Sequence, residues 1–301
     1  MSVVEPLDAT LGAVVHGVRV SEMSELQWRE VEAAFNEHGM LVFPEQHPSR
    51  EEQIAFGERW GALEERGGTQ VSVPLKASDP MVLEISNILE DGSHVTSWDH
   101  PRTRALAGNE GWHSDSSFRP AAAKVSLLAA IETPRTGGQT SFADMRAAYD
   151  VLPEDMKKRL EGLVAWHSVR YSQAVVGVSD DEPAADPEAM EGAWHPLVNR
   201  HPVTGRRSLF VGRHACKVAG MDILEGQALL AGLLEDSCRR PRVYSHSWTN
   251  GDVVVWDNRC LLHRAGDWDL TQRRRLRHVR IAGDPNDQYH NPDAASVLAG
   301  S

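Results

Sequence analysis

The apolar residues of this chain fall into many short runs and few long periodic ones. Met40-Leu41-Val42-Phe43, just ahead of Pro44, is apolar at every position and reads as a buried strand. Residues 81–85, 125–131, 209–211, 243–248, 253–256 and 274–281 read as further strands, with Gly, Pro, Asn or Asp in the turns between them. Residues 164–172, with Val164, Trp166, Val169 and Tyr171, are predicted as a further strand. Residues 1–20 read as extended, turning at Gly12 and Gly17. Helical spacing is rarer. Ser24 followed by Gln27 is a capping-box pattern, after which Trp28, Val31 and Phe35 share a face and Gly39 supplies a C-cap. Ser49 with Glu52 opens a second helix that runs to about Trp60. Residues 144–149 and 153–163 read as helical pieces, and 220–238 as an amphipathic helix carrying Leu224, Leu230, Leu233 and Leu234.

Between these elements lie long polar stretches at 61–80, 89–106 and 178–192, the last one acidic with Asp180, Asp181, Glu182, Asp186, Glu188 and Glu191. Structureless loops beyond roughly 12–15 residues in a compact domain usually cover a site or are disordered. The first two are expected to form a pocket rim. The third is expected to be a solvated excursion, with a lid as the alternative. No internal repeat and no linker divides the sequence, so residues 1–301 are read as one domain. Many short strands, Gly and Pro turns and few helices favour a sandwich or jelly roll, mostly β with flanking helices, over a doubly wound sheet.

Composition narrows the partners. A formal net charge of −12 argues against a general nucleic-acid binder. The cluster Arg273, Arg274, Arg275, Arg277, Arg280 is a local exception, better suited to an anion site than to a duplex-binding stripe. Cys216, Cys238 and Cys260 are too far apart for a metal knuckle or a disulfide framework, which fits a reducing cytoplasm. The first 20 residues lack the basic and apolar regions of a signal peptide, and no run approaches the ~18–20 apolar residues that span a bilayer.

The chemistry concentrates in Gly108-Asn109-Glu110-Gly111-Trp112-His113-Ser114-Asp115-Ser116-Ser117-Phe118. On an extended strand His113 and Asp115 would point the same way, presenting an imidazole and a carboxylate to one point. That is two-thirds of the 2-His-1-carboxylate triad that binds Fe(II) and leaves positions open. With 14 His and 43 Asp plus Glu, such a pair also arises by chance, and a solvated aspartate at a strand end is the plainer reading. His263 follows the apolar run Val253-Val254-Val255-Trp256, where a lone histidine is more often a core residue than a ligand. His167, His195, His201, His214 and His246 are each read as structural, and Glu110 is assigned no role.

Four segments together change that balance. The His113 segment, Gly137-Gly138-Gln139-Thr140-Ser141-Phe142, the stretch from Asp252 through Trp256-Asp257-Asn258-Arg259 to His263 and Arg264, and Gln272 through Arg280 closely resemble the taurine dioxygenase and phenoxyalkanoate dioxygenase family of Fe(II)/2-oxoglutarate enzymes. The resemblance runs from about Leu7 to Asp284 and is nearest the aryloxyalkanoate-degrading branch. It implies a double-stranded β-helix, an Fe(II) site of His113, Asp115 and His263, and 2-oxoglutarate and O2 as cosubstrates. It also implies that Arg274 and Thr140 hold the remote carboxylate of 2-oxoglutarate, and that Asn109 lies in the substrate pocket. The taurine enzymes carry an arginine for the sulfonate where this chain has His278, a departure that turns the expectation from taurine toward a carboxylate.

Strand parity extends the expectation. With Arg274 inward, Leu276, His278 and Arg280 point inward too, while Arg275, Arg277 and Val279 face out. A second inward arginine without a charged partner is costly to bury. A second anion is therefore expected on Arg280 or His278, a small acidic primary substrate, which the resemblance implies is an aryloxyalkanoate. Its hydroxylation beside the ether oxygen would release a phenol and a 2-oxo acid, with 2-oxoglutarate decarboxylated to succinate. A sulfonate, a sulfate ester or a natural-product carboxylate is the alternative. A zinc hydrolase would use the same ligands but finds no evident general base near His113, and a non-catalytic cupin-like binder would tolerate loss of a ligand. A homo-oligomer with no nucleic-acid or membrane partner is expected.

Overall fold

The computed structural model describes residues 3–65 and 81–284. Its centre is a seven-stranded sheet in the order Val3–Pro6, Ala13–His16, Met40–Phe43, Val253–Asp257, Val125–Glu132, Arg275–Ile281, Val82–Ser86. All neighbours run antiparallel except Ala13–His16 with Met40–Phe43. Both faces of its central strands Met40–Phe43, Val253–Asp257 and Val125–Glu132 are buried, which explains why they read as apolar runs. Val253 and Val255, Leu127 and Ala129, Val279 and Ile281 point to one core, where Trp28, Val31, Phe35, Phe56 and Trp60 close over them. Val254 and Trp256, Leu128 and Ala130, and Leu276 point to the other core, shared with Phe142 and Leu261 of a facing three-stranded sheet. That sheet has the order Val243–His246, Thr140–Asp144, Leu261–Ala265. Two sheets facing one another with helices packed outside make the double-stranded β-helix, or jelly roll, that the short strands anticipate.

The two early helices form as their capping boxes predict, over Glu25–His38 and Arg50–Glu58, with Gly39 left-handed (φ 74°) after the first. They roof the first core, so Val279 does not face solvent as simple parity suggests: it is fully buried beneath them. Other expectations need correction. The strand predicted over 164–172 stops at His167, because the Ser168 hydroxyl accepts from the Tyr171 N–H and caps a helix, Val169–Val175. The 89–106 stretch contains a helix, Pro101–Ala107, begun by His100 as N-cap with proline in its first turn and the buried Thr103 beneath it. The short strand expected over 209–211 is Arg207–Leu209, paired with Val198–Arg200. Most of the stretch 61–80 lies outside the described residues, and so does that part of the expected rim.

A second three-stranded sheet, Ala215–Val218, Val164–His167, Ala193–Pro196, packs with helix Ile223–Ser237 around a third core. The acidic stretch 178–192 is pinned against this unit. Arg170 holds Asp181 (2.8 and 3.0 Å), Lys217 holds Asp186 and Glu188, and the Ser168 hydroxyl donates to the Glu191 carbonyl. Three unpaired thiols, Cys216, Cys238 and Cys260, lie in the fold. Among the described residues no helix is long and apolar enough to cross a membrane.

His167 stacks on Phe210 and His195 meets the same ring edge-on, and burial pushes both down, His195 to about 4 and His167 well below its ordinary value. An unfolded histidine protonates near 6.5. Between about 6.5 and 4 the unfolded chain binds a proton that folded His195 refuses, so stability declines as pH falls through that window. Urea midpoints measured from pH 7 to 4 should therefore fall less steeply for His195→Gln than for the parent, and equal slopes would contradict this account.

Candidate active site

Two backbone hydrogen bonds bring the distant histidines together. The His113 N–H donates to the His263 carbonyl (2.9 Å) and the His263 N–H to the His113 carbonyl (2.8 Å), an isolated antiparallel bridge. Residues so paired share a face, and the two imidazole rings lie 4.2 Å apart. Asp115 arrives differently from the expected strand geometry. Only His113 is in the bridge; Asp115 begins a turn in which Ser116 takes a left-handed backbone (φ 54°). The turn still delivers the carboxylate, whose Oδ2 lies 3.6 Å from His263 Nε2 and 3.3 Å from His278 Nε2. One ligand atom from each of His113, Asp115 and His263 falls within 4.8 Å of the others, and all three residues are buried.

The protonation states suit a metal. Burial lowers His113 against the pull of Asp115, and burial with neighbouring His113 lowers His263 well below its ordinary value, so both are neutral at pH 7, the form in which an imidazole can bind a metal. His113 Nδ1 lies 2.8 Å from the Gly111 carbonyl, which fixes Nδ1 as the donor and leaves Nε2 for a metal. Burial alone would raise Asp115, but His278, His263 and Arg280 outweigh it and hold the carboxyl well below its usual range. Two neutral imidazoles and one carboxylate are a donor set that Fe(II) accepts on one face.

Of three consecutive arginines the middle one is buried. Arg273 pairs with Glu132 (2.7 Å), and Arg275 reaches toward Glu84 (3.9 Å). Arg274 is 2% exposed; its Nη2 donates to the Gly138 carbonyl (3.1 Å) and its guanidinium lies 4.8 Å from the Trp268 ring centre. Nε is buried without a hydrogen-bond partner, no carboxylate pairs with the group among the described residues, and burial pulls it down to about 10. An uncompensated buried cation is costly unless an anion arrives. Gly138 keeps the space open: at φ 67° it is left-handed, and a Cβ there would stand 3.0 Å from Arg274 Nε. Buried Thr140 accepts from Trp248 Nε1 (3.0 Å), so its own hydroxyl hydrogen is free to reach another oxygen. This pair fits the remote carboxylate of a 2-oxo diacid whose other end would sit at the His-Asp-His cluster.

Arg280 does have an acidic partner, contrary to expectation. Its Nη2 lies 3.4 Å from the buried Glu64 carboxylate, and its Nη1 donates to the Ser116 hydroxyl (2.9 Å), itself a donor to Glu64 (2.7 Å). The charge left uncompensated beside the histidines is instead Arg213. Its backbone N–H donates to the Trp112 carbonyl, no carboxylate pairs with it among the described residues, and burial lowers it to about 10. Sequence reasoning missed it, although Gly212-Arg213-His214 was visible. His278 stacks on Trp256 (ring centres 5.7 Å apart) beside Asp115. Asn109 is half-buried, and its carbonyl accepts from the Ala265 N–H (2.8 Å). Next to it Glu110 lines a cavity of about 410 Å³ with Trp98, Arg104, Ala107, Val178 and Asp267. Burial and Asp267 raise Glu110.

A jelly roll that closes two histidines and an aspartate around one point, beside an unpaired buried arginine, defines the class of Fe(II)/2-oxoglutarate oxygenases. The chain belongs to the Taurine catabolism dioxygenase TauD, TfdA family, which matches residues 4–280. It is 46% identical over 290 residues to the (S)-phenoxypropionate/alpha-ketoglutarate-dioxygenase of Sphingobium herbicidovorans, covering 94% of this chain and 95% of that protein. It is 41% identical to the alpha-ketoglutarate-dependent 2,4-dichlorophenoxyacetate dioxygenase of Cupriavidus pinatubonensis, covering 94% and 99% of the two chains. Among solved structures it resembles AAD-2 in complex with Mn(II) and N-oxalylglycine, with TM-score 0.83 and 36% identity over 94% of this chain and 97% of that one. The protein is an Fe(II)- and 2-oxoglutarate-dependent dioxygenase, an oxidoreductase acting on a small molecule.

His113→Ala, Asp115→Ala and His263→Ala should each abolish turnover while the circular dichroism spectrum is retained; full activity in any one would remove that residue from the site. Arg274→Ala should raise the 2-oxoglutarate KM by roughly 10- to 150-fold, since a hydrogen bond to a charged group contributes ~1.5–3 kcal/mol. A normal KM, with Arg275→Ala defective, would place the cosubstrate on the wrong arginine.

Proposed function

We propose that this dioxygenase hydroxylates a small aryloxyalkanoate at the carbon next to its ether oxygen, with Arg213 as the anchor of the substrate carboxylate. The observation that carries the proposal is Arg213 itself, a desolvated guanidinium with burial alone depressing it and no acidic partner among the described residues. It lies against the metal segment: a Cβ on Gly111 would stand 2.8 Å from Arg213 Cδ, and one on Gly108 would stand 3.8 Å from its Nη1. That same Gly108 position is 3.6 Å from Val178, which lines the 410 Å³ cavity. A carboxylate on Arg213 would leave the aryl end in that cavity, against Trp98, Ala107 and Val178, with Asn109 alongside. The names of the relatives, a phenoxypropionate dioxygenase and a dichlorophenoxyacetate dioxygenase, support the same substrate class.

Each residue has a defined part. His113, Asp115 and His263 would hold Fe(II), and Arg274 with Thr140 the remote carboxylate of 2-oxoglutarate. When bound, this pair supplies the oxidising chemistry, in which one oxygen atom of O2 leaves in succinate, formed with CO2, and the other becomes a hydroxyl on the substrate. Arg213 fixes one end of the substrate, so a single C–H is held at the site. The hydroxylated carbon carries both an OH and an OAr group. As the hydroxyl proton leaves, the bond from that carbon to the ether oxygen breaks, the departing phenolate takes the proton to become the phenol, and a 2-oxo acid remains. His278 and Arg280 stay beside Asp115 as part of the site's wall, since Glu64 compensates Arg280. A reducing, cytoplasmic setting fits the three unpaired thiols.

Succinate release from a panel of aryloxy acids, sulfonates and sulfate esters tests the substrate class, and the aryloxy acids should turn over fastest. Arg213→Met should raise the KM for the acid by roughly 10- to 150-fold while the 2-oxoglutarate KM stays within a factor of a few. A neutral methyl ester that turned over as fast as the free acid would show that no carboxylate anchor exists.

A further inference from the structure

The Trp256-Asp257-Asn258-Arg259 motif precedes His263 but supplies no ligand. Its asparagine nevertheless sits at the centre of a fully buried network: Ser126 and Trp256 are 0% exposed and Asn258 1%. Asn258 Oδ1 receives the indole Nε1–H of Trp256 (3.1 Å) and the backbone N–H of Asp115 (3.2 Å). Both of those groups can only donate, so the atom they converge on must be the amide oxygen. Nδ2 is then the amide's NH2 and donates to Ser126 Oγ (2.8 Å). A serine hydroxyl has a single hydrogen, and the remaining partner of Ser126 Oγ is Asp115 Oδ2 at 2.6 Å. The direction of every bond is thereby set by chemistry alone. The hydroxyl of Ser114 donates to the Asn258 carbonyl (2.9 Å), tying down the other side of the metal segment.

We propose that Ser126 and Asn258 are positioning residues of the metal centre, a one-way relay from Trp256 that fixes the rotation of the Asp115 carboxylate. This rests on the His113, Asp115, His263 reading of the metal site. The sheet makes the relay possible. Ser126 is paired with Trp256 on one neighbouring strand and with Arg280 on the other, so the three side chains stand abreast on the face beneath Asp115. In the run Val125-Ser126-Leu127-Leu128-Ala129-Ala130 the serine is the polar exception on the face that also carries Leu128 and Ala130. A hydroxyl buried there without function would cost stability relative to alanine. Without the relay Asp115 would rotate toward His278 and Arg280, which lie 3.3 Å and 3.9 Å from its two oxygens.

Outer partners of metal ligands typically contribute 10- to 100-fold in affinity. The test is Mn(II) binding to the full chain, followed anaerobically by the electron paramagnetic resonance signal of free Mn(II), with no turnover required. Ser126→Ala should weaken binding by roughly 10- to 100-fold and Ser126→Thr, which keeps the hydroxyl, should restore it. Asn258→Ala should weaken it in the same direction and serves if Ser126→Ala fails to fold. A purely structural role would lower the melting temperature of the metal-free variants while leaving the Mn(II) affinity untouched. His263→Ala separates the two levels. If it loses Mn(II) while Ser126→Ala and Asn258→Ala bind like the parent, the relay is overturned and the triad stands. If His263→Ala itself binds normally, the triad reading fails and takes the relay with it.

Discussion

Everything at this site depends on one pair of backbone hydrogen bonds, the reciprocal N–H to carbonyl contacts between His113 and His263. Neither histidine could find the other through local sequence, and the loop-closure entropy between them is met by the whole antiparallel framework. Trp256, fully buried, packs against two of the site's histidines: its ring lies 4.7 Å from His263 and 5.7 Å from His278. It also donates to Asn258, so one side chain ties the apolar core to the polar face of the site. The central strands read as continuous apolar sequence because they are covered on both faces, and two of the polar residues buried among them, Ser126 and His278, stand next to Asp115.

Charge compensation separates structure from function here. Asp257 is gripped by Arg259 and His201, Asp144 by Arg146, and Glu64 by Arg280 with Arg119, each pair closed within the fold. Breaking such a buried pair is strongly destabilising, so these groups hold the roll together. Arg274 and Arg213 differ. For both, burial is what depresses the guanidinium, and among the described residues no carboxylate pairs with either. Two desolvated guanidinium groups of this kind suit two anions, which is the basis for proposing one chelating cosubstrate and one acidic substrate.

The strand pattern and the two capping boxes were legible in the sequence because each has a local signature, and the grouping of His113, Asp115 and His263 through the family resemblance. Period-2 parity placed Leu276, His278 and Arg280 on the site's face, yet it misjudged Val279, because parity says nothing about whether the opposite face is covered. The 164–172 stretch was misread because its apolar spacing suits strand and helix alike; the Ser168 cap decided it. Arg280 misled for a tertiary reason. Its partner, Glu64, lies far away in sequence and reaches it only through the bridge between Leu63 and Ile281. Arg213 was passed over for the converse reason, since the lack of an acidic partner among the described residues is a property of space and not of the sequence around it. The Ser126 and Asn258 relay needed the register of three strands to be seen.

The most direct test is an anaerobic titration of the Fe(II)-loaded chain with 2-oxoglutarate, monitored in the visible range. Chelation of Fe(II) by a 2-oxo acid gives a weak metal-to-ligand charge-transfer band. The account predicts a saturable band that requires both Fe(II) and 2-oxoglutarate and shifts when an aryloxy acid is added. Absence of the band in folded, Fe(II)-binding protein would contradict the assignment of this site.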